Sequence, residues 1–151
     1  MAKKQINKLL TGLAGEYMVA GIMNMKGWVA SLTLKNYPGI DIFGQNPNNG
    51  QNISVQVKTS RENSFNIGLR HNERSEIYNR VKGPYVFVHI SSNEDISYYI
   101  LSRDEFINLV NTTDDLYFNR ARKHPIKDTY PIAVSLKDLL PYEDKWDSLW
   151  K

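Results

Sequence analysis

The chain has 151 residues, a formal net charge of +3 and no cysteine. That length suffices for one ordinary core and is short for two, so a single domain spanning 1–151 is expected. The absence of cysteine excludes disulfides and cysteine-ligated zinc and makes a cytoplasmic location the default expectation; no apolar stretch reaches bilayer length, and the lysine-bearing start lacks the apolar run of a secretion signal.

From about Gln5 to Lys26, apolar residues recur at Ile6, Leu9, Leu10, Leu13, Tyr17 and Ala20, the spacing of an amphipathic helix, which predicts that this stripe faces the core. Glu16 falls beside the stripe, next to Leu9 and Leu13, and Gly27 is a natural stop. Trp28 to Leu34 reads as a first strand. Between Pro38 and Thr59 two short alternating runs flank a loop rich in Asn, Gly and Pro, the signature of a β-hairpin. Alternation puts Ile40 and Ile42 on one face and Asp41 on the other. In the second run Ile53, Val55 and Val57 share a face, so Ser54, Gln56 and Lys58 share the opposite one. If the strands pair, a carboxylate, an amide and an ammonium converge.

Ser60 to Asn66 is polar and ambiguous, His71 to Val81 has helical spacing, and Gly83-Pro84 ends it. Tyr85 to Ile90 is a nearly continuous apolar run, as expected of a strand covered on both faces. After a turn at Ser91 to Asp95, Tyr98 to Leu101 makes a fifth strand, and Ser102 with Glu105 forms a capping box for a helix through about Val110. A polar loop runs through Pro125, Ile132 to Val134 is a short apolar run, and Ser135 to Asp138 opens a short helix before Pro141. Trp146 and Trp150 are expected to anchor the C-terminal segment to the body.

Pro38-Gly39-Ile40-Asp41 followed by Gln56-Val57-Lys58 resembles the paired motif of the PD-(D/E)XK nuclease superfamily, the restriction-endonuclease-like fold. Glutamine stands where an acid is usual, as in the QxK variant of Mrr-like nucleases. The resemblance takes in Glu16 on the preceding helix and the strands up to about residue 90. More loosely, the hairpin and the Trp146-Asp147 pair are similar to those of a set of bacterial proteins. It implies an α/β fold with an α-β-β-β-α-β core, a mixed central sheet flanked by helices, and metal-dependent hydrolysis of DNA phosphodiesters. The implied catalytic residues are Glu16, Asp41, Gln56 and Lys58. The implied ligands of Mg²⁺ or Mn²⁺ are Asp41, the Gln56 side-chain oxygen, the Val57 carbonyl and Glu16, with Lys58 orienting the attacking water. Small nucleases of this fold often act as symmetric dimers, so a homodimer is among the implied arrangements.

Each residue also has a plainer reading: Asp41 as a turn residue, Lys58 with its stem lying along the strand end, Gln56 and Glu16 as solvated positions. Glutamine in place of glutamate removes a negative charge, which keeps a second function open: a catalytically weak or inactive module of the same fold that binds nucleic acid or a protein partner. Net charge alone argues little for a polyanion. The stretch from Leu116 to Lys127, however, carries Arg120, Arg122, Lys123, His124 and Lys127 with no acid, and Arg61, Arg70 and Arg74 could add to a basic border. The three histidines have no zinc-like spacing, and no nucleophile elbow, P-loop or dinucleotide fingerprint is present.

Overall fold

In the computed structural model, residues 6–34, 38–120 and 127–151 are described. The first helix, α1 (Lys8–Met25), is capped by the Asn7 side chain, which accepts from the Leu9 N–H at 2.8 Å. Three antiparallel strands follow: β1 (Val29–Leu32), β2 (Ile42–Gln45) and β3 (Asn52–Ser60). β3 then pairs in parallel with β5 (Tyr85–Ile90), and β5 pairs antiparallel with β6 (Ile96–Leu101). The result is a five-stranded mixed sheet in the order β1-β2-β3-β5-β6. Between β3 and β5 lies a 3-10 stretch, His71–Glu76, leading into the short α2 (Ile77–Arg80). Helix, three strands, helix, strand is the core order expected, and the sheet is mixed as expected. Among the described residues no helix is long and apolar enough to cross a membrane.

Alternation along β5 divides the core in two. Val86, Val88 and Ile90 pack with Val55, Val57 and Ile42 against Val19, Ala20 and Met23 of α1. Tyr85 and Phe87 face the other way, into a cluster with Phe106, Ile107 and Val110 of α3 (Arg103–Phe118). Ser102 and Glu105 form the predicted capping box of α3, which runs two turns beyond Val110. Trp150 stacks on Trp28 with ring centroids 3.3 Å apart, and Trp146 leans on Tyr98, so both tryptophans anchor the C-terminal segment as anticipated.

Two elements differ from the sequence reading. Ser64–Arg70, whose first residues looked ambiguous, is a strand, β4; its Phe65, Ile67 and Leu69 alternate into the core. Its partner β7 (Pro131–Ser135) comes from the short apolar run, and the two form a separate antiparallel sheet over the Tyr85 and Phe87 side. The period-two signal was present in SFNIGLR, but Gly68, at positive φ, interrupts the strand propensity. The second difference is the phase of α1. Thr11, Gly15, Val19, Ala20 and Met23 are its buried residues, whereas Ile6, Leu9, Leu10 and Tyr17 are exposed. Small residues decide this: a Cβ on Gly15 would lie 1.8 Å from Thr59 Oγ1, so only glycine lets the helix come this near to β3.

Gly83 is a second enforced glycine, since a Cβ there would sit 2.1 Å from the Ser54 carbonyl oxygen of β3. That contact seats the start of β5 beside β3. Gly83→Ala is expected to cost about 1–3 kcal/mol, the range for overpacking, and to lower the melting temperature by several degrees. Gly21→Ala, exposed on α1 with nothing within 4 Å of the new Cβ, should raise it through about 0.5–1 kcal/mol of helix propensity. Equal melting temperatures for the two variants would contradict the packing described.

Candidate active site

The site starts from the turn before β2. Gly39 takes φ +74°, a conformation glycine reaches without strain, and turns the chain back toward the sheet. Asp41 is then pinned through its backbone: its N–H donates to the Val55 carbonyl at 2.9 Å, and its carbonyl accepts from the Thr33 N–H at 2.9 Å. The Thr33 hydroxyl adds a bond of 2.7 Å to the Ile40 carbonyl. With both flanks fixed, the Asp41 side chain turns toward β3. Its Oδ2 accepts from the Val57 N–H at 2.8 Å and from the Gln56 Nε2 at 2.5 Å. A carboxylate thus takes the position of a ladder carbonyl where β2 leaves β3. The Gln56 N–H points the other way, to the Pro84 carbonyl at 3.1 Å. In an extended strand a residue's N–H and C=O face the same side, so the Val57 carbonyl opens toward Asp41 too.

Lys58 shares its face with Gln56, in register with Phe87 and Tyr85 of β5. Burial pushes the Asp41 carboxyl above its ordinary value; the Val57 N–H, the Lys58 charge and the Gln56 amide pull it back only in part. Burial likewise lowers the Lys58 ammonium, against the pull of Asp41. Cation and anion therefore sit in one partly desolvated notch and feel each other, a condition common at functional sites.

Three of the four predicted residues, Asp41, Gln56 and Lys58, are brought together. Glu16 is carried by α1 on the row adjoining Gly15, half-buried, and α1 covers the Val55 and Val57 face of β3 rather than the Gln56 and Lys58 face. Glu16 therefore reaches this stretch of strand from the other side of the sheet. Among the described residues no group of three or more His, Asp and Glu side chains gathers as a metal cage.

Tyr85 is a neighbour that sequence reading placed only in the core. It lies beside Gln56 across the parallel pair, its ring stacked on Phe106 at 3.8 Å, and its hydroxyl is pushed up to about 12 by burial and, less, by the Asp41 charge. Only the register of β3 against β5 reveals it. The expected basic border is in part outside the described residues: Arg122, Lys123 and His124 fall there. Arg74 is engaged elsewhere, its guanidinium 3.1 Å from Asp114 and 2.5 Å from Asp115. His71, whose ring nitrogen bonds Asp114, completes this network, which ties the 3-10 stretch to α3. Arg61 stays close to the site strand, its Nε 3.4 Å from the Thr11 hydroxyl.

No family model matches the chain, and no curated protein matches it. Among solved structures it is similar to Hjc of Archaeoglobus fulgidus, a Holliday junction resolvase from an archaeal hyperthermophile. The identity is 12%, the TM-score 0.48, and the match covers 87% of this chain and 88% of that one. It is also similar to I-Ssp6803I, a bacterial homing endonuclease, at 12% identity and TM-score 0.49, over 95% of this chain and 91% of that one. At these values neither likeness assigns a site or an activity.

Because burial raises the Asp41 pKa above 3.8, the folded chain holds that proton more tightly than the unfolded chain. Ionising Asp41 therefore costs stability: the cost is absent well below pH 3.8 and complete once pH exceeds the raised value. Asp41→Asn keeps an acceptor for Val57 and Gln56 but carries no charge. It should melt higher than wild type at pH 7, by about 2–4 °C for each kcal/mol relieved, and the gain should shrink toward nothing near pH 3. A variant less stable at pH 7 would contradict this account.

Proposed function

We propose that the chain hydrolyses DNA phosphodiesters with the help of Mg²⁺ or Mn²⁺ held at Asp41. The observation that carries this reading is the convergence of the Asp41 carboxylate, the Gln56 amide and the Lys58 ammonium at the point where β2 parts from β3. The donors suit a hard divalent ion that keeps several waters: one fixed carboxylate, one neutral side-chain oxygen and one backbone carbonyl, from Asp41, Gln56 and Val57. When bound, such an ion withdraws charge from the phosphate and lowers the pKa of a water. The chain's own residues do the rest. Asp41, held by two backbone hydrogen bonds, fixes where charge is neutralised. Lys58, partly desolvated, orients the attacking water and offers a cation to the charge that develops on the phosphate. A homodimer would present two such notches to a duplex. The missing cysteine is consistent with a cytoplasmic protein meeting DNA there.

One observation favours a second reading. The Gln56 amide donates its N–H to Asp41, which satisfies the carboxylate without a cation. A module of this fold that binds nucleic acid or a protein partner, with weak or no catalysis, would retain that bond. For the enzyme, the Gln56 amide must turn over to present its oxygen.

Nicking and degradation of plasmid DNA in magnesium and in manganese tests the first reading. Asp41→Ala should abolish metal binding and cleavage together. Lys58→Ala should spare metal binding and lower the rate by about 10²–10³, the loss typical of removing one charge-stabilising donor. Gln56→Glu should tighten metal binding, read as a larger rise in melting temperature at a given metal concentration. Inactivity on every DNA form, together with no metal-induced shift in melting, would give the binding module the preference.

A further inference from the structure

β3 and β5 are parallel, so the turns that follow them leave the sheet at the same end, and a cavity of about 690 Å³ lies there. One wall is the β3–β4 turn with Arg61, another the β5–β6 turn with Ser91, and a third is β4 with Asn66; the first turns of α1 close it with Lys8 and Thr11. The carboxyl ends of parallel strands are a common place for ligands in open sheets, and the volume falls within the range of roughly 300–1,000 Å³ typical of ligand sites.

The polar groups of this cavity are left as donors. Ser91 Oγ accepts from the Asn93 and Asp95 N–H groups at 3.3 and 3.1 Å, and Asn66 Oδ1 accepts from the Gly68 N–H at 2.9 Å. Their acceptor oxygens are used in shaping the turns, which leaves a hydroxyl hydrogen and an amide NH₂ for a bound group. Arg61 is tethered at one point: its Nε lies 3.4 Å from Thr11 Oγ1. Arg74, Arg80 and Arg103 each pair with a carboxylate of the chain. Among the described residues Arg61 and Lys8 pair with none, although Glu62 and Glu94 line the same cavity. An unpaired guanidinium beside neutral donors suits a phosphate.

Position and charge decide which phosphate. Ser60, which also lines the cavity, is two residues beyond Lys58 on the same face of β3, about 6.6 Å along the strand, so the cavity adjoins the Asp41 notch. Lys8 and Arg61 are balanced by Glu62 and Glu94, so there is no net charge to concentrate a free phosphate dianion. A phosphodiester carries a single charge, and one whose neighbour is already held at the notch has an effective concentration on the order of millimolar. We propose that this cavity holds the nucleotide adjoining the scissile phosphodiester on the same strand, with Arg61 on its phosphate and the Asn66 amide and Ser91 hydroxyl as further donors. The proposal rests on the DNA reading above and adds to it where the strand is gripped beyond the cleaved bond.

Binding of fluorescent DNA, single-stranded and duplex, is read by anisotropy in EDTA. Arg61→Ala and Asn66→Asp, on opposite walls, should each weaken binding by about 10–100-fold, the value of a hydrogen bond to a charged group. Asn66→Asp keeps the acceptor for the Gly68 N–H, so its melting temperature serves as the check on folding. In Arg61→Ala the slope of log affinity against log salt should flatten by about 0.7–0.9, one phosphate contact, and Arg61→Lys should restore it, which loss of a merely structural residue would not do. Where DNA is cut in magnesium or manganese, Arg61→Ala should raise KM by the same factor and leave kcat in place, since Arg61 lies outside the notch. Affinity and salt slope unchanged in both Arg61→Ala and Asn66→Asp would overturn this site and leave the DNA reading standing. A wild type that neither binds nor cuts DNA would overturn both. Inorganic phosphate or thymidine monophosphate that raises the wild-type melting temperature at millimolar concentration, but not that of Arg61→Ala, would overturn the strand assignment in favour of a free phosphate ligand.

Discussion

The distance between α1 and β3 governs the rest of the molecule. Helix and strand meet at Gly15 and Thr59 with no room for a single extra carbon, so the helix cannot rotate to any other phase without opening a gap or a clash. That one constraint sends Val19 and Met23 into the core beneath Ile42 and Val55, and it places Glu16 on the flank rather than underneath. It also leaves Leu9, Leu10 and Tyr17 outside. At these positions the usual association of large apolar side chains with the interior is reversed, because the helix face that reaches Thr59 is the one that carries Gly15.

At the other end of the hairpin the constraint is electrostatic. A ladder position of β3 is filled by a carboxylate instead of a carbonyl, and its charge is half withdrawn from water while the nearest ammonium suffers the same loss. Such a pair gains little for stability and is tolerated where charge is to be used. The strand register supplies the surroundings: Tyr85 and Phe87 of β5 stand beside Gln56 and Lys58, so the notch has an aromatic wall on one side and the turn at Gly39 on the other.

The order of elements, the hairpin and the convergence of Asp41, Gln56 and Lys58 were legible because strand alternation is a rigid rule: knowing that Val55 and Val57 are apolar settles where Gln56 and Lys58 go. The capping box at Ser102 was legible for the same local reason. The phase of α1 was not, since the stripe of Ile6, Leu9, Leu10, Leu13 and Tyr17 outweighs Gly15, Val19 and Met23 by hydrophobicity, and only the identity of the opposing residue, Thr59, makes the smaller face the tighter one. Tyr85 beside Gln56, and β4 against β7, depend on pairings between distant segments, which no local pattern encodes.

The two-stranded sheet carries a kinetic consequence. β4 leaves β3 after a three-residue turn, yet its partner arrives only after β5, β6 and α3 have all been laid down, with Phe65 meeting Val134. Until that long loop closes, Phe65, Ile67 and Leu69 have no cover on the strand's unpaired edge, and Phe106 lacks part of its wall. Closure of distant segments is slow compared with helix formation, so the cover that β7 gives to Phe65, Ile67 and Leu69 forms late. During that interval β4 is an open edge with an apolar face, the feature through which an incompletely folded chain finds another of its kind.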